Sequence, residues 1–121
     1  MLLKIKYIRD AGNLAQERLV LQTILDCEIG DYMTSVSMET GSGQSISPKI
    51  KSTYWFPDGK LAADSLVVLY TKKGINSVKI NDDGSKSYFY YRNEAEPLFA
   101  DPRSCAVVFE IKKWIYNAEK Q

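Results

Sequence analysis

Histidine is missing altogether from the 121 residues. Its absence removes the commonest general base, the Ser–His and Cys–His nucleophile pairs, and most zinc and iron sites. Cysteine is nearly missing: Cys27 and Cys105 are too few for a metal motif, which needs three or four ligands. A disulfide between them would depend on a distance and orientation that sequence does not supply. The preferred reading is two packed, reduced thiols in a cytoplasmic protein. No apolar run approaches the roughly eighteen residues of a membrane span. Met1-Leu2-Leu3 meets charge at Lys4, so no signal peptide is expected. Charge of one sign is lacking too, with 16 basic against 15 acidic residues. That excludes a globally basic nucleic-acid binder and an acidic tail, and leaves a local patch open.

What is present favours pleated structure. Leu, Ile, Val and Phe supply 31 of the 121 positions, enough for one core, and the chain is read as a single domain over 1–121. Val, Ile, Tyr, Phe, Trp and Thr together number 36, a composition suited to strands. Residues 2–8 alternate, with Leu3, Ile5 and Tyr7 on one face and Lys4 and Lys6 on the other. Residues 18–25 place Leu19, Leu21 and Thr23 together, opposite Val20, Gln22 and Ile24. Residues 32–38 alternate again. Residues 40–48 form the longest loop candidate, expected to be mobile. Strands are expected at 51–56, 66–70, 78–80 and 87–92, with turns at Pro57-Asp58-Gly59 and Asn81-Asp82-Asp83-Gly84. Residues 105–115 read either as a strand through Ile111 or as a helix started by Asp101-Pro102. Their β-branched and aromatic content favours the strand. Seven or eight short strands in this length predict an antiparallel β-sandwich or small barrel.

One stretch resembles a known family. Ser52-Thr53-Tyr54-Trp55-Phe56-Pro57-Asp58-Gly59-Lys60-Leu61, followed by a spacer and Leu66-Val67-Val68-Leu69-Tyr70, is similar to the central signature of the lamin tail domain. Glu17-Arg18-Leu19-Val20-Leu21 and Ile29-Gly30-Asp31-Tyr32 resemble its opening strands. Tyr88-Phe89-Tyr90-Tyr91 and Cys105-Ala106-Val107-Val108-Phe109 resemble its aromatic and closing strands. The resemblance covers residues 3–111. The chain departs from it at Phe99-Ala100-Asp101-Pro102-Arg103-Ser104, where the family often carries Trp-Asn and Gly-Asp. The resemblance implies an immunoglobulin-like sandwich of a stand-alone bacterial type, used for binding or attachment. With no coiled-coil rod here, it implies no filament role.

Candidate chemistry is sparse. Asp58, Asp64, Asp82, Asp83, Glu94, Glu96 and Asp101 fall mostly in expected turns, and no spacing pairs them on one face. Asn81, Asp83 and Ser85 alternate oxygens, but the twelve-residue calcium loop and its distal Glu are not there. We therefore expect no catalytic residue, metal or cofactor, and no membrane partner. A protein partner is expected, a second copy of the chain included. Exposed aromatics and arginine suit hot spots, which nominates Trp55, Tyr90, Tyr91, Arg92 and Trp114, with Trp55 better read as core. The alternative is single-stranded nucleic acid. It would stack on the 88–91 aromatics beside Arg92 and a patch drawn from Lys49, Lys51, Lys72, Lys73, Lys112 and Lys113. The binding residues named are Tyr90, Tyr91, Arg92, Lys72, Lys73 and Trp114.

Overall fold

Extended chain turns successive side chains to opposite faces, so alternating apolar residues give each strand one face to bury. The computed structural model describes residues 1–41 and 45–121 and follows that rule. Eleven strands are described: β1 (Leu3–Arg9), β2 (Arg18–Thr23), β3 (Cys27–Glu28), β4 (Tyr32–Thr40), β5 (Ser45–Ile46), β6 (Lys51–Trp55), β7 (Lys60–Leu61), β8 (Leu66–Tyr70), β9 (Ser77–Ile80), β10 (Lys86–Tyr91) and β11 (Ser104–Glu110). Eight of them run four residues or longer. Helix is confined to one 3-10 turn at Ile29–Asp31 among the described residues, so the chain is all-β.

A five-stranded sheet has the order β1-β2-β8-β10-β9, and a second joins β11-β4-β5 with β6 also on β4. β3 and β7 form a small third ladder. One core cluster draws on both large sheets: Leu3, Leu19, Leu21, Val67, Leu69 and Tyr90 meet Tyr32, Phe56 and Ile29. Tyr54, Ala106 and Val108 pack against it from the second sheet. Phe56 is held edge-on between Tyr54 and Tyr90, each 5.1 Å away between ring centroids.

The sheets depart from the expected pattern in several places. Lys6 has no partner on β2: Ile5 pairs with Leu21 and Tyr7 with Val20. The extra residue flips the face, so Ile8 rather than Tyr7 joins the core, and Tyr7 is exposed. β2 ends at Thr23, leaving Ile24 and Leu25 exposed in the following turn. The pairing is not wholly antiparallel, because β10 runs parallel to β8. The chain leaves β8, passes one strand position outward to β9, and returns as β10 between them. The loop expected over 40–48 falls in part on 42–44, outside the described residues. Its flanks pair, Glu39 with Ile46 and Thr40 with Ser45.

The closing segment is a strand that ends at Glu110, and residues 111–121 have no regular structure. The helical alternative fails because every residue of β11 finds a register partner on β4, from Ser104–Met38 to Glu110–Tyr32. Cys27 and Cys105 are both free thiols.

A carboxylate ties the loops at one end. Glu17 is fully buried. Its Oε1 accepts from the Thr71 hydroxyl at 2.6 Å and the Leu98 N–H at 2.8 Å. Its Oε2 accepts from the Gly12 N–H at 2.7 Å and the Phe99 N–H at 3.1 Å. Four donors are a full complement for a carboxylate, which is how a buried charge is tolerated. Glu28 plays a similar part nearer the candidate site. Its Oε2 accepts from the Gly30 N–H at 3.0 Å and the Gly59 N–H at 2.5 Å, so the Pro57–Gly59 turn is pinned to the 3-10 turn.

Candidate functional site

A strand at the end of a sheet leaves half its backbone groups without a partner, and natural sheets usually defend such edges with lysines, bulges or covering loops. The two edges of the five-stranded sheet differ. β1 carries Lys4, Lys6 and Arg9 and is kinked by the bulge at Lys6. β9 has an unbroken register and a single charge, Lys79. All four of its residues are exposed, with Val78 at 54% and Ile80 at 69%, and Ile75 just before it at 89%.

The hairpin that makes β9 also fixes which of its groups face outward. The Gly84 N–H donates to Asn81 O at 2.9 Å and the Asn81 N–H to Ser85 O at 2.8 Å. Gly84 has φ +87°, the left-handed conformation that closes a four-residue turn with a one-residue bulge. Asn81, Asp83 and Ser85 spend their oxygens on this turn: Asp83 Oδ1 accepts from the Ser85 N–H at 2.9 Å and hydroxyl at 2.6 Å. Those donors hold the Asp83 carboxyl below its usual range. From the bonded pair at Asn81 and Ser85, antiparallel alternation makes Lys79–Ser87 and Ser77–Phe89 hydrogen-bonded pairs. Val78–Tyr88 and Ile80–Lys86 are then the non-bonded pairs, so Val78 and Ile80 turn their N–H and C=O to the open edge.

Beside this edge lies a groove of about 280 Å³, lined by Pro57, Leu61, Val78, Tyr88 and Tyr90. Its far wall is the turn pinned by Glu28. An open backbone edge next to an apolar recess is what strand addition uses: main-chain bonds for affinity and alternate side chains for specificity.

The nominated residues are dispersed. Along β10, Tyr88 and Tyr90 face the core and Phe89 and Tyr91 the outer face, as alternation requires. Tyr90 is 7% exposed, and burial pushes its hydroxyl up to about 12, so it is chiefly a core residue, with only the part of its side chain that lines the groove open to a partner. Tyr91 stacks on Tyr70 at 5.3 Å, and Lys72 Nζ sits 4.9 Å over the Tyr70 ring. The Gly74 backbone lies against Tyr91 so closely that a Cβ there would fall 2.2 Å from the ring. Arg18 also lies over Tyr70, at 5.6 Å, and Arg9 over Tyr7 at 4.8 Å.

Arg92 is turned inward. Its Nη1 donates to Ser52 O, and burial lowers its pKa. Its Nη2 is buried without a partner among the described residues. Ser52 has φ +54° and lies where β6 slips one residue against β4, between the Thr34 and Val36 pairs. Trp114 is on the tail, edge-on to Trp55 at 5.1 Å. Trp55 is 45% exposed rather than core, its indole N–H donating to Gly30 O at 2.8 Å. Lys73 is exposed beyond β8. The remaining lysines of the supposed patch are spread over β6, its approach and the tail.

Val78 and Ile80 were not singled out from sequence, although a short apolar strand with one charge between two turns was a usable signal. Among the described residues, no group of three or more His, Cys, Asp and Glu is placed to hold a metal ion. No helix among them is long and apolar enough to cross a membrane. Burial raises the pKa of both Cys27 and Cys105, which keeps them as thiols rather than nucleophilic thiolates. No family model matches the chain, and no curated protein matches it.

Proposed function

We propose that this chain is a non-catalytic binding module of lamin-tail-like, immunoglobulin-like build that docks protein by accepting a strand along β9. The observation that carries the reading is the outer edge of β9, which pairs with no strand among the described residues and whose register turns the N–H and C=O of Val78 and Ile80 outward. Two features support it: the recess beside the edge can take a side chain of the added strand, and this edge is the less defended of the two, with one lysine and no bulge where β1 has three cations and a bulge. The lamin-tail likeness is supported by the way residues 51–70 form β6, a Pro57 turn, β7 and β8 in that order.

The test is selection of extended peptides from a displayed random library, followed by amide chemical-shift mapping. Bound peptides should shift Val78 and Ile80, and Ile80→Pro, which removes one outward N–H, should abolish binding. Peptides that bind with shifts elsewhere, or none that bind at all, would overturn the reading.

A second reading, single-stranded nucleic acid, draws on the outward cluster of Arg9, Arg18, Lys72, Tyr7, Tyr70 and Tyr91. The ring faces there are already engaged: Tyr70 by Tyr91, Arg18 and Lys72, and Tyr91 by Tyr70 and the Gly74 backbone. Bases need free ring faces, so this reading ranks second. Labelled oligonucleotide binding at low salt that falls steeply with added salt would promote it.

A further inference from the structure

The strand that β9 accepts is identified by the charges at its two ends. Lys72 and Lys73 precede it; Asp82 and Asp83 follow it. None of the four is in an ion pair among the described residues. An antiparallel copy of the same segment therefore offers acid where this one offers base, at both ends. We infer that the partner is a second copy of this chain, joined β9 to β9 about a two-fold axis, which rests on the reading of β9 as a docking edge.

Backbone geometry limits the register, and side-chain charge narrows it further. The groups free to bond are those of Val78 and Ile80, with Asn76 next in the alternation, so only even-numbered residues can form the new hydrogen-bonded pairs. Centring the axis on Lys79 sets two lysines face to face, which like-charge repulsion disfavours. Centring it on Val78 pairs Val78 with its own counterpart and Asn76 with Ile80. Lys79 then lies opposite Ser77, and Lys73 comes level with Asp83 of the second copy. A two-fold contact repeats each of these pairs, as an isologous interface must. The two five-stranded sheets become one continuous sheet, and the exposed Val78 and Ile80 are covered. So short a seam is below the size of a permanent interface, and the dimer belongs to the weak, reversible class.

Sedimentation of the full chain from about 10 µM to about 1 mM tests this, since weak contacts of this size associate in that range. The expected result is a monomer–dimer equilibrium. Ile80→Pro should raise its dissociation constant at least about tenfold, because proline has no N–H to give across the edge. The hairpin does not use that N–H, and a retained unfolding transition shows that the variant is folded. Lys73→Glu and Asp82→Lys should each weaken self-association by about threefold to tenfold, and mixing them should recover part of the loss, because one end of the mixed dimer keeps the parental Lys73 against the Asp82–Asp83 turn while the other sets the new carboxylate beside the new cation. Asp82 is chosen over Asp83, which holds Ser85. A monomer throughout the range, a dimer indifferent to Ile80→Pro, or no recovery on mixing would overturn the inference. A monomer that still binds selected peptides at Val78 and Ile80 overturns the second copy alone. A monomer that binds none overturns the docking edge as well.

Discussion

Glu17 is the side chain whose removal should damage this fold most. Its carboxylate takes four hydrogen bonds from Thr71, Leu98, Gly12 and Phe99, and nothing of it reaches solvent. In Glu17→Gln one oxygen becomes an NH2 group. Placed at Oε2, that group would oppose two backbone N–H groups, from Gly12 and Phe99. Placed at Oε1, it meets the Thr71 hydroxyl, which can rotate to accept, and only the Leu98 N–H is stranded. The second arrangement is therefore expected, at about 2 kcal/mol for one unsatisfied buried donor and the loss of charge assistance. Glu17→Ala strands all four donors, and water entering the space recovers part of the loss, so about 4–5 kcal/mol is expected. Against a total of about 5–15 kcal/mol for a domain, the Ala variant sits near the limit of folding. Urea unfolding followed by tryptophan fluorescence reads these values. If both variants fall within about 0.5 kcal/mol of the parent, Glu17 is not the tie described here.

Acid should weaken the fold in part through Glu28, whose pKa is lowered chiefly by the Gly59 N–H and then by that of Gly30. A depressed folded-state pKa gives stability that is present above the unfolded value of 4.5 and lost as pH falls through the folded value, so the urea midpoint should drop in that window and Glu28→Gln should flatten the drop. Alkali acts through Tyr90, raised from 10.0 to about 12 chiefly by burial. Its contribution is intact below pH 10 and lost as pH rises through the folded value, so Tyr90→Phe should unfold less readily in alkaline titrations while changing little at neutral pH. Along β9, Lys79→Pro removes a bond to Ser87 and should cost about 2–4 kcal/mol, whereas Ile80→Pro removes only an outward N–H and should cost less than about 1 kcal/mol. Equal losses in thermal melts would contradict the assigned register.

The strands were legible because alternation is a local property. Leu19, Leu21 and Thr23 share a face as their spacing demands, and the Asn81–Gly84 turn forms where Asn, Asp and Gly predict it. The bulges at Lys6 and Ser52 were not legible, since an extra residue changes the face without changing the composition. The parallel β8–β10 pair was hidden for another reason: strand order depends on where β9 is carried, and a six-residue connection leaves that open. The candidate site suffered most from reading neighbours as a group. Tyr90, Tyr91 and Arg92 are consecutive, yet one is core, one is stacked outward and one is turned under β6. Which strand lies at the edge emerges only from the assembled sheet, and so Val78 and Ile80 were passed over.

Residue-resolved amide hydrogen exchange along β9 in dilute protein, below the concentrations at which self-association is expected, is the most direct test. The Ser77 and Lys79 amides should be protected by β10, and the Val78 and Ile80 amides should exchange near the rate of open chain. Addition of a bound strand, from a peptide or from raised protein concentration, should slow Val78 and Ile80 and leave the other two unchanged. Uniform protection in dilute protein, or the reverse alternation, would mean that the edge is not open and that strand addition at β9 is not how this molecule binds.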